Sequence, residues 1–183
     1  MVVVNVRIDG LHQFQKSLRH TNAHFNKRCQ QALNRTLQRS RTQMTNAIGE
    51  KLNLRKKTIR ELISIQKANK NTGLIGKLTV KHKHVPLIEY NAKQNRKGVT
   101  FKMFKIRPRQ LVKHAFIYAD TRSKLTVFRR ERGASRLKIK PLFGTAISNV
   151  AKDGIKVISE YSKNYFYSEI NKLLDLACGA YAY

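Results

Sequence analysis

The sequence predicts an α+β protein with a long N-terminal helix, a central antiparallel β-sheet of short basic strands and a C-terminal helix. Apolar residues recur with the helical period in the first 50 residues, alternate with polar residues in the middle of the chain, and return to the helical period after Pro141. Helices that precede and follow a run of strands are typical of α+β folds. We expect one domain over residues 1–183, made of 1–50 (strand and long helix), 51–140 (basic helix and β-sheet) and 141–183 (C-terminal helix).

The first segment is predicted to be a short edge strand followed by one long helix. Residues 2–8 alternate weakly and end at Asp9-Gly10, which is a turn signal. From Leu11 the apolar residues keep one helical phase as far as Gly49, where we expect the helix to end. Such a helix would be about 56 Å long, whereas a compact chain of this size has a radius of gyration of about 16 Å. We therefore expect a kink near Thr21-Asn22, or a projecting helix that packs on another subunit.

The middle of the chain is predicted to begin with a short basic helix and to continue as strands. Asn53 is a candidate cap for a helix over Leu54–Leu62. Ile63 and Ile65 then alternate with polar residues, and Leu74–Lys83 has lysines on one face and apolar residues on the other. Further strands are predicted at Leu87–Tyr90, Val99–Phe104, Ala115–Ala119, Leu125–Arg130 and Leu137–Ile139, with polar turns at 95–98 and 120–124.

The last segment is predicted to be a helix that begins after Pro141. Apolar residues from Ile147 to Leu174 follow the helical period, and Gly154 is the weakest point of the pattern. Residues 151–183 carry 4 basic and 4 acidic residues, so this end is neutral, and it is rich in tyrosine.

Positive charge is the strongest signal in the composition. The chain has 38 Lys and Arg against 10 Asp and Glu, which gives a formal net charge of +28. These basic residues alternate with Leu, Val, Ile and Phe, so they decorate folded elements and do not form a disordered tail. Self-repulsion of this size opposes compaction unless an anionic partner or an assembly offsets it. A polyanion is therefore the expected partner.

No residue pattern indicates catalysis, a cofactor or a metal site. The 10 acidic residues are scattered and mostly flanked by basic residues, so clustered carboxylates for acid–base or metal-dependent chemistry are not predicted. His20 and His24 have the spacing of two ligands on a helix but lack an evident third. His82 and His84 lie between lysines that would weaken metal binding. We expect a protein that is not an enzyme.

The cysteines and the hydropathy pattern predict a soluble protein that is made in the cytoplasm. Cys29 and Cys178 form neither a disulfide framework nor a zinc motif, and both are interpreted as small hydrophobic residues. No 18-residue apolar window is present, and Val2-Val3-Val4 is followed by polar residues instead of the apolar core of a signal peptide. No membrane contact is expected.

Two sets of basic residues stand out, and the first set is a candidate for contact with nucleic-acid phosphates. The first set lies on the predicted strands and loops and comprises Lys77, Lys81, Lys83, Arg107, Arg109, Arg129 and Arg130. The second is a stripe on the first helix formed by Arg28, Arg35 and Arg39, for which a solvated helix face is the simpler interpretation. Phosphate contact requires no base readout, so the expected binding is independent of sequence.

Aromatic residues between the basic strands allow two interpretations. They either stack on bases, as in RNA-binding sheets, or belong to the core. The residues concerned are Phe101, Phe104, Phe116, Tyr118 and Phe128.

Several short segments are distinctive in their order and spacing. They are Ala32-Leu33-Asn34-Arg35-Thr36, Leu54-Arg55-Lys56-Lys57-Thr58-Ile59-Arg60, Val85-Pro86-Leu87-Ile88, Ala115-Phe116-Ile117 followed by Val127-Phe128-Arg129-Arg130, and Lys140-Pro141-Leu142. In this arrangement, which covers most of residues 10–150, the chain resembles the minor tail protein Z family of tailed bacteriophages and prophages.

The resemblance implies a structural virion protein that completes the head-proximal end of the tail, helps to join tail to head at the neck and positions the DNA end. It implies a homo-oligomeric ring around non-specifically bound double-stranded DNA. The implied partners are tail terminator, tail tube or head-connector proteins, and the implied location is the virion, after assembly in the host cytoplasm. Because the neutral C-terminal end departs from the often basic end of the family, we assign Tyr161, Tyr165 and Tyr167 to a subunit interface.

Two other classes of protein remain open. A cellular RNA-binding protein of the ribosomal type agrees with the sequence pI of about 10.7 and the small size, although the extended basic tails of that class are missing. A nuclease or toxin built from basic residues and histidine is the second alternative, and cleavage of nucleic acid by the purified protein would distinguish it.

Overall fold

The computed structural model describes residues 23–69, 74–119, 123–130 and 138–179, and the side chains between 26 and 173 within these ranges. The helices are α1 (Ala23–Lys51), α2 (Lys56–Glu61), α3 (Ile147–Lys152) and α4 (Ile155–Gly179), and Leu87–Tyr90 form a 3-10 helix. The strands are β1 (Ile63–Gln66), β2 (Lys77–Val80), β3 (His84–Pro86), β4 (Lys93–Asn95), β5 (Gly98–Phe101), β6 (Gln110–Lys113), β7 (Ala115–Ala119), β8 (Leu125–Arg130), β9 (Ile139–Pro141) and β10 (Phe143–Ala146). Strands lie between helices in the chain, which confirms the α+β class.

The strands form four small antiparallel sheets and not the single sheet that the sequence predicts. The sheets are β1–β2, β3–β10, β4–β5–β6 and β7–β8–β9. Two residues in the left-handed conformation help to explain the division, because they turn the chain sharply between sheets. Asn91 (φ 54°) follows the 3-10 helix, and His114 (φ 59°) separates β6 from β7.

Helix α1 forms because its apolar side chains recur every three or four residues and share one face. The buried positions are Cys29, Ala32, Leu33, Thr36, Leu37, Ser40, Met44, Thr45, Ile48 and Gly49. The helix is continuous over 29 described residues, about 44 Å. It runs past Gly49 to Lys51, so the prediction that Gly49 ends it is wrong. The predicted edge strand at 2–8 and the predicted kink at Thr21-Asn22 lie outside the described residues.

The main core lies between the second half of α1 and the sheets. Its fully buried side chains come from every layer and include Met44, Ile48, Leu52, Ile59, Ile63, Leu78, Val80, Tyr90, Val99, Val127 and Ile147. Burial of this apolar surface is the principal stabilising contribution to the fold.

A smaller core joins the first half of α1 to α4. Cys29 and Leu33 pack with Phe166 and Ile170. Nearby, the buried hydroxyls of Ser40 and Ser162 lie 2.6 Å apart, and each also lies within hydrogen-bond distance of a carbonyl oxygen of its own helix. Close packing of α4 on α1 therefore covers one side of the described part of the long helix.

Several predicted boundaries are wrong for local physical reasons. Asn53 does not cap α2, because its Nδ2 donates a hydrogen bond to the Lys102 carbonyl oxygen at 3.1 Å and Arg55 occupies the cap position. The predicted strand at Leu74–Lys83 is confirmed over Lys77–Val80 with Leu78 and Val80 buried, but it stops before Lys81.

Three other predictions are also corrected. Leu87–Tyr90 form a 3-10 helix and not a strand. Strand β5 ends at Phe101, whereas the prediction extends to Phe104. After Pro141, which belongs to β9, the chain forms β10 before the helix begins at Ile147.

The strand predicted at Leu137–Ile139 is shifted, since β9 covers Ile139–Pro141 and Leu137 lies outside the described residues, whereas two other predictions are confirmed. Strands Ala115–Ala119 and Leu125–Arg130 have the predicted bounds. The helix that follows Ile147 is interrupted at Asp153 and Gly154, as the weak point of the pattern predicts.

Cys29 is expected to be chemically inert in the folded protein. Its thiol is buried, and this burial raises its pKa to about 11, so the reactive thiolate is scarce at neutral pH. In a Cys178→Ser variant, we expect a thiol reagent at pH 8 to label Cys29 slowly in buffer and rapidly in denaturant. The raised pKa favours the protonated folded state, so its contribution to stability is present below about pH 9 and declines as the pH rises towards 11. Equal labelling rates of Cys29 in buffer and in denaturant would contradict the prediction that the thiol is inert in the folded protein.

Candidate nucleic-acid interface

A sharp corner in the chain joins the two three-stranded sheets. Strand β6 ends at Lys113 and β7 begins at Ala115, so His114 alone makes the turn, with φ 59°. Its backbone N–H donates to the carbonyl oxygen of Lys97 at 3.4 Å, which ties the corner to the β4–β5 turn. The corner therefore holds the end of β6 near β8 and β9.

The space beside this corner is a cleft of about 910 Å³, which we call the sheet-corner cleft. It is lined by Leu111, Val112, Lys113, His114, Arg129, Arg130, Lys140, Pro141 and Leu142. Four of these side chains are cations, and all four are exposed. No acidic residue is among those lining residues, so in the described part of the chain the cleft presents charge of one sign.

The register of the sheet concentrates this charge. Arg129 on β8 lies directly opposite Lys140 on β9, and the two side chains share one face. Like charges in directly opposed positions destabilise a strand pair. An anion bound between them would reduce this repulsion, so the pair is a candidate phosphate contact.

Arg130 is held in place by an aromatic ring. Its guanidinium carbon lies 5.6 Å from the centre of the Phe116 ring, which in turn stacks on Phe128 with ring centres 6.2 Å apart. Because the ring already restricts the Arg130 side chain, less conformational entropy is lost when this arginine binds a phosphate.

The structure brings together two of the seven predicted phosphate contacts. Arg129 and Arg130 line the sheet-corner cleft. Lys77, Lys81 and Lys83 belong to β2 and to the segment between β2 and β3. Lys77 is half-buried, whereas the other two are exposed.

Arg107 and Arg109 lie in the connection between β5 and β6 and make contacts within the chain. Arg107 lies over the Phe104 ring at 5.0 Å. The Arg109 Nη2 donates to the carbonyl oxygens of Asn91 at 2.7 Å and Thr100 at 3.3 Å. Arg109 therefore fastens the β4–β5 hairpin.

Sequence reasoning missed Lys113, His114 and Lys140 as members of the site. Strand β6 was not predicted, because Gln110–Lys113 has exposed residues at three of its four positions and shows no clear alternation. In the sequence, Lys140-Pro141-Leu142 directly follows a predicted strand, and no pattern there predicts a phosphate contact. Lys140 is recognised as part of the site because it lies opposite Arg129, and this position is known only from the register of the sheet.

A second basic cleft, of about 760 Å³, lies beside α1 and is here named the helix cleft. It is lined by Arg35, Gln38, Arg39, Arg41, Thr42, Gln43, Arg60, Ile65, Lys67 and Tyr165. Two members of the predicted arginine stripe, Arg35 and Arg39, belong to it, whereas Arg28 does not. The two clefts have no lining residue in common.

Two of the three predicted interface tyrosines, Tyr161 and Tyr165, lie against Arg39 of α1. Tyr161 and Tyr165 stack with ring centres 6.4 Å apart, and the Arg39 guanidinium carbon lies 4.9 Å from the centre of the Tyr165 ring. A side-chain hydrogen bond with Tyr161, followed by the charge interaction with Tyr165, raises the pKa of Arg39. Tyr167 is exposed and packs beside Phe166.

Glu169 supplies negative charge at the edge of α4. It pairs with Lys172 at 3.2 Å and with Arg35 at 3.5 Å. Desolvation opposes ionisation of this carboxyl, but the two cations outweigh it and lower the pKa of Glu169.

Most of the aromatic residues in the central strands are covered. Phe101 and Phe128 are buried, and Phe104 and Phe116 lie beneath the guanidinium groups of Arg107 and Arg130. Tyr118, 63% exposed, is the ring of this set that lies open to solvent. The core interpretation thus accounts for these rings better than a base-stacking surface does.

The side chains of His82 and His84 bind neighbouring protein groups. His82 Nδ1 lies 2.6 Å from the Ser148 hydroxyl, and His84 Nδ1 lies 2.9 Å from the Gly144 carbonyl oxygen. Within the described ranges, no three His, Cys, Asp or Glu residues cluster as a metal site would require. His20 and the side chain of His24 fall outside those ranges. None of the described helices is both long and apolar enough to cross a bilayer.

Comparison of the chain with protein-family models, with curated proteins and with solved structures finds no match.

Proposed function

We propose that this protein is a structural subunit of a tailed-phage virion that completes the head-proximal end of the tail. In this proposal it acts by binding and assembly, without catalysis, as one member of a ring around the DNA path at the neck. The sheet-corner cleft carries the proposal, because four exposed cations line it and Arg129 opposes Lys140 across the strands. Contact with phosphates through such a surface holds DNA without reading its sequence.

The face of the β7–β8–β9 sheet opposite to the Arg129 and Lys140 side chains supports assembly. The register places Tyr118 and Ile139 on the same face as Arg130, and both apolar side chains are exposed. Apolar side chains exposed beside Arg130 are suited to contact with a neighbouring subunit at the edge of a DNA path. Multiple copies would raise the affinity for DNA by multivalency.

The test is electron microscopy of the purified protein with and without short duplex DNA. We expect closed rings whose central opening accommodates a duplex, with more rings when DNA is present. A monodisperse monomer at all concentrations, with or without DNA, would contradict the proposal. Tight binding to a folded RNA in preference to random duplex would favour the RNA-binding alternative instead.

A further inference from the structure

We propose that the helix cleft is a second anion site, which binds phosphate groups independently of the sheet-corner cleft. Five of its lining side chains are cations, namely Arg35, Arg39, Arg41, Arg60 and Lys67. No acidic residue lines it in the described ranges, and Glu169, which pairs with Arg35 at 3.5 Å, lies outside the lining. This inference does not depend on the phage assignment.

The elements that meet at the cleft explain why the cations converge. Arg35, Gln38, Arg39 and Thr42 follow one another at helical spacing along α1, so they share one face. Helix α2 contributes Arg60, strand β1 contributes Ile65, and Lys67 follows directly after β1. Secondary structure therefore fixes the backbone of the site before any ligand arrives.

Arg41 is held in a fixed position beside the other cations of the helix cleft. Its Nη2 donates to the carbonyl oxygen of Arg60 at 2.6 Å, which ties α1 to α2 and limits movement of the guanidinium. Its Nε is buried and has no hydrogen-bond partner, the one such side-chain atom in the part of the chain that the structure describes. A buried charged donor without an acceptor is costly. Because Nε is inaccessible, an anion in the cleft would interact with the charge of the Arg41 guanidinium and would not bond to Nε itself.

The chemistry of the lining favours phosphate. Planar guanidinium groups donate paired hydrogen bonds that match the oxygens of phosphate. The side chains of Gln38, Thr42 and Gln43 add polar groups around the arginines. The Tyr165 ring already contacts Arg39 and Tyr161, so it is not available to stack on a nucleic-acid base.

The test measures binding of inorganic tripolyphosphate by titration calorimetry in three double variants. Arg60→Gln with Lys67→Gln removes two exposed cations of the helix cleft, Arg129→Gln with Lys140→Gln removes two of the sheet-corner cleft, and Lys156→Gln with Lys163→Gln removes two exposed cations outside both. All three have the same change in net charge. We expect the Arg60 and Lys67 pair to weaken binding at the helix cleft at least about tenfold. The Lys156 and Lys163 pair should leave it unchanged.

A parallel titration with duplex DNA identifies the source of the phosphate. If the helix-cleft variant weakens binding of both tripolyphosphate and DNA, the site takes the DNA backbone. If it weakens tripolyphosphate alone, the site takes a free phosphate compound. If it binds both ligands as the Lys156 and Lys163 control does, the helix cleft is not an anion site and the proposal is overturned.

Discussion

Replacement of Gly98 by alanine is expected to destabilise the protein by about 3 kcal/mol or more. Gly98 has φ 141°, a conformation that residues with a side chain rarely adopt. A Cβ atom there would also lie 2.1 Å from the Val112 carbonyl oxygen and 3.1 Å from the Lys113 Cα. These are backbone atoms of the neighbouring strand and cannot rotate away, so β5 and β6 must separate.

The effect of this substitution extends to the proposed binding site. Gly98 pairs with Lys113, which lines the sheet-corner cleft. We expect urea denaturation to show the loss of stability and DNA titration to show weaker binding by the variant. The exposed neighbour Lys97→Ala is the matched control, with a stability change of about 0.5 kcal/mol or less. A loss below about 1 kcal/mol for Gly98→Ala would contradict the described pairing of β5 with β6.

Replacement of Gly144 by alanine is expected to cost about 2–3 kcal/mol. A Cβ atom at this position would lie 2.4 Å from Tyr90 Cε2 and 2.8 Å from Cζ. Tyr90 is fully buried, and that burial raises its pKa to about 12. The ring has no open space into which it can move, so either the ring or β10 must shift.

A matched pair of variants tests the cause of this loss. Gly49→Ala places a Cβ at 3.6 Å from Ile59 Cδ1, an ordinary contact, inside α1. Because alanine is more favourable than glycine in a helix by about 1 kcal/mol, the Gly49→Ala protein should be as stable as the unchanged protein or more stable.

Combining Gly144→Ala with Tyr90→Leu should give a loss of stability smaller than the sum of the two single losses, because leucine leaves room for the methyl group. Additive losses would show that the clash with Tyr90 is not the cause.

The sequence predicts those elements whose local pattern is complete. Ala115–Ala119 and Leu125–Arg130 pair with each other and bury residues such as Val127, so each shows enough apolar residues to be identified. Strand Lys93–Asn95 is exposed at all three positions and forms because β5 pairs with it. An exposed edge strand of this kind has no local pattern that would identify it.

Apolar runs are ambiguous when turn residues flank them. The apolar pattern of Leu87–Tyr90 is compatible with a strand or with a helix. In the structure this segment is a 3-10 helix, which lies between Pro86 and the left-handed Asn91.

The candidate site is less predictable from the sequence than these elements. Sequence reasoning found that Arg129 and Arg130 are surface cations, but the cleft depends on the left-handed turn at His114 and on the register that opposes Arg129 to Lys140.

The central claim is that the sheet-corner cleft holds DNA by its phosphates, and the salt dependence of duplex affinity tests it most directly. If the four cations each engage one phosphate, the slope of log affinity against log salt is about −3.6, and affinity falls about 150-fold between 50 and 200 mM salt. Arg129→Gln with Lys140→Gln should reduce the magnitude of the slope by about 1.8, whereas Lys156→Gln with Lys163→Gln should leave it unchanged. Equal slopes for the two double variants would contradict the claim.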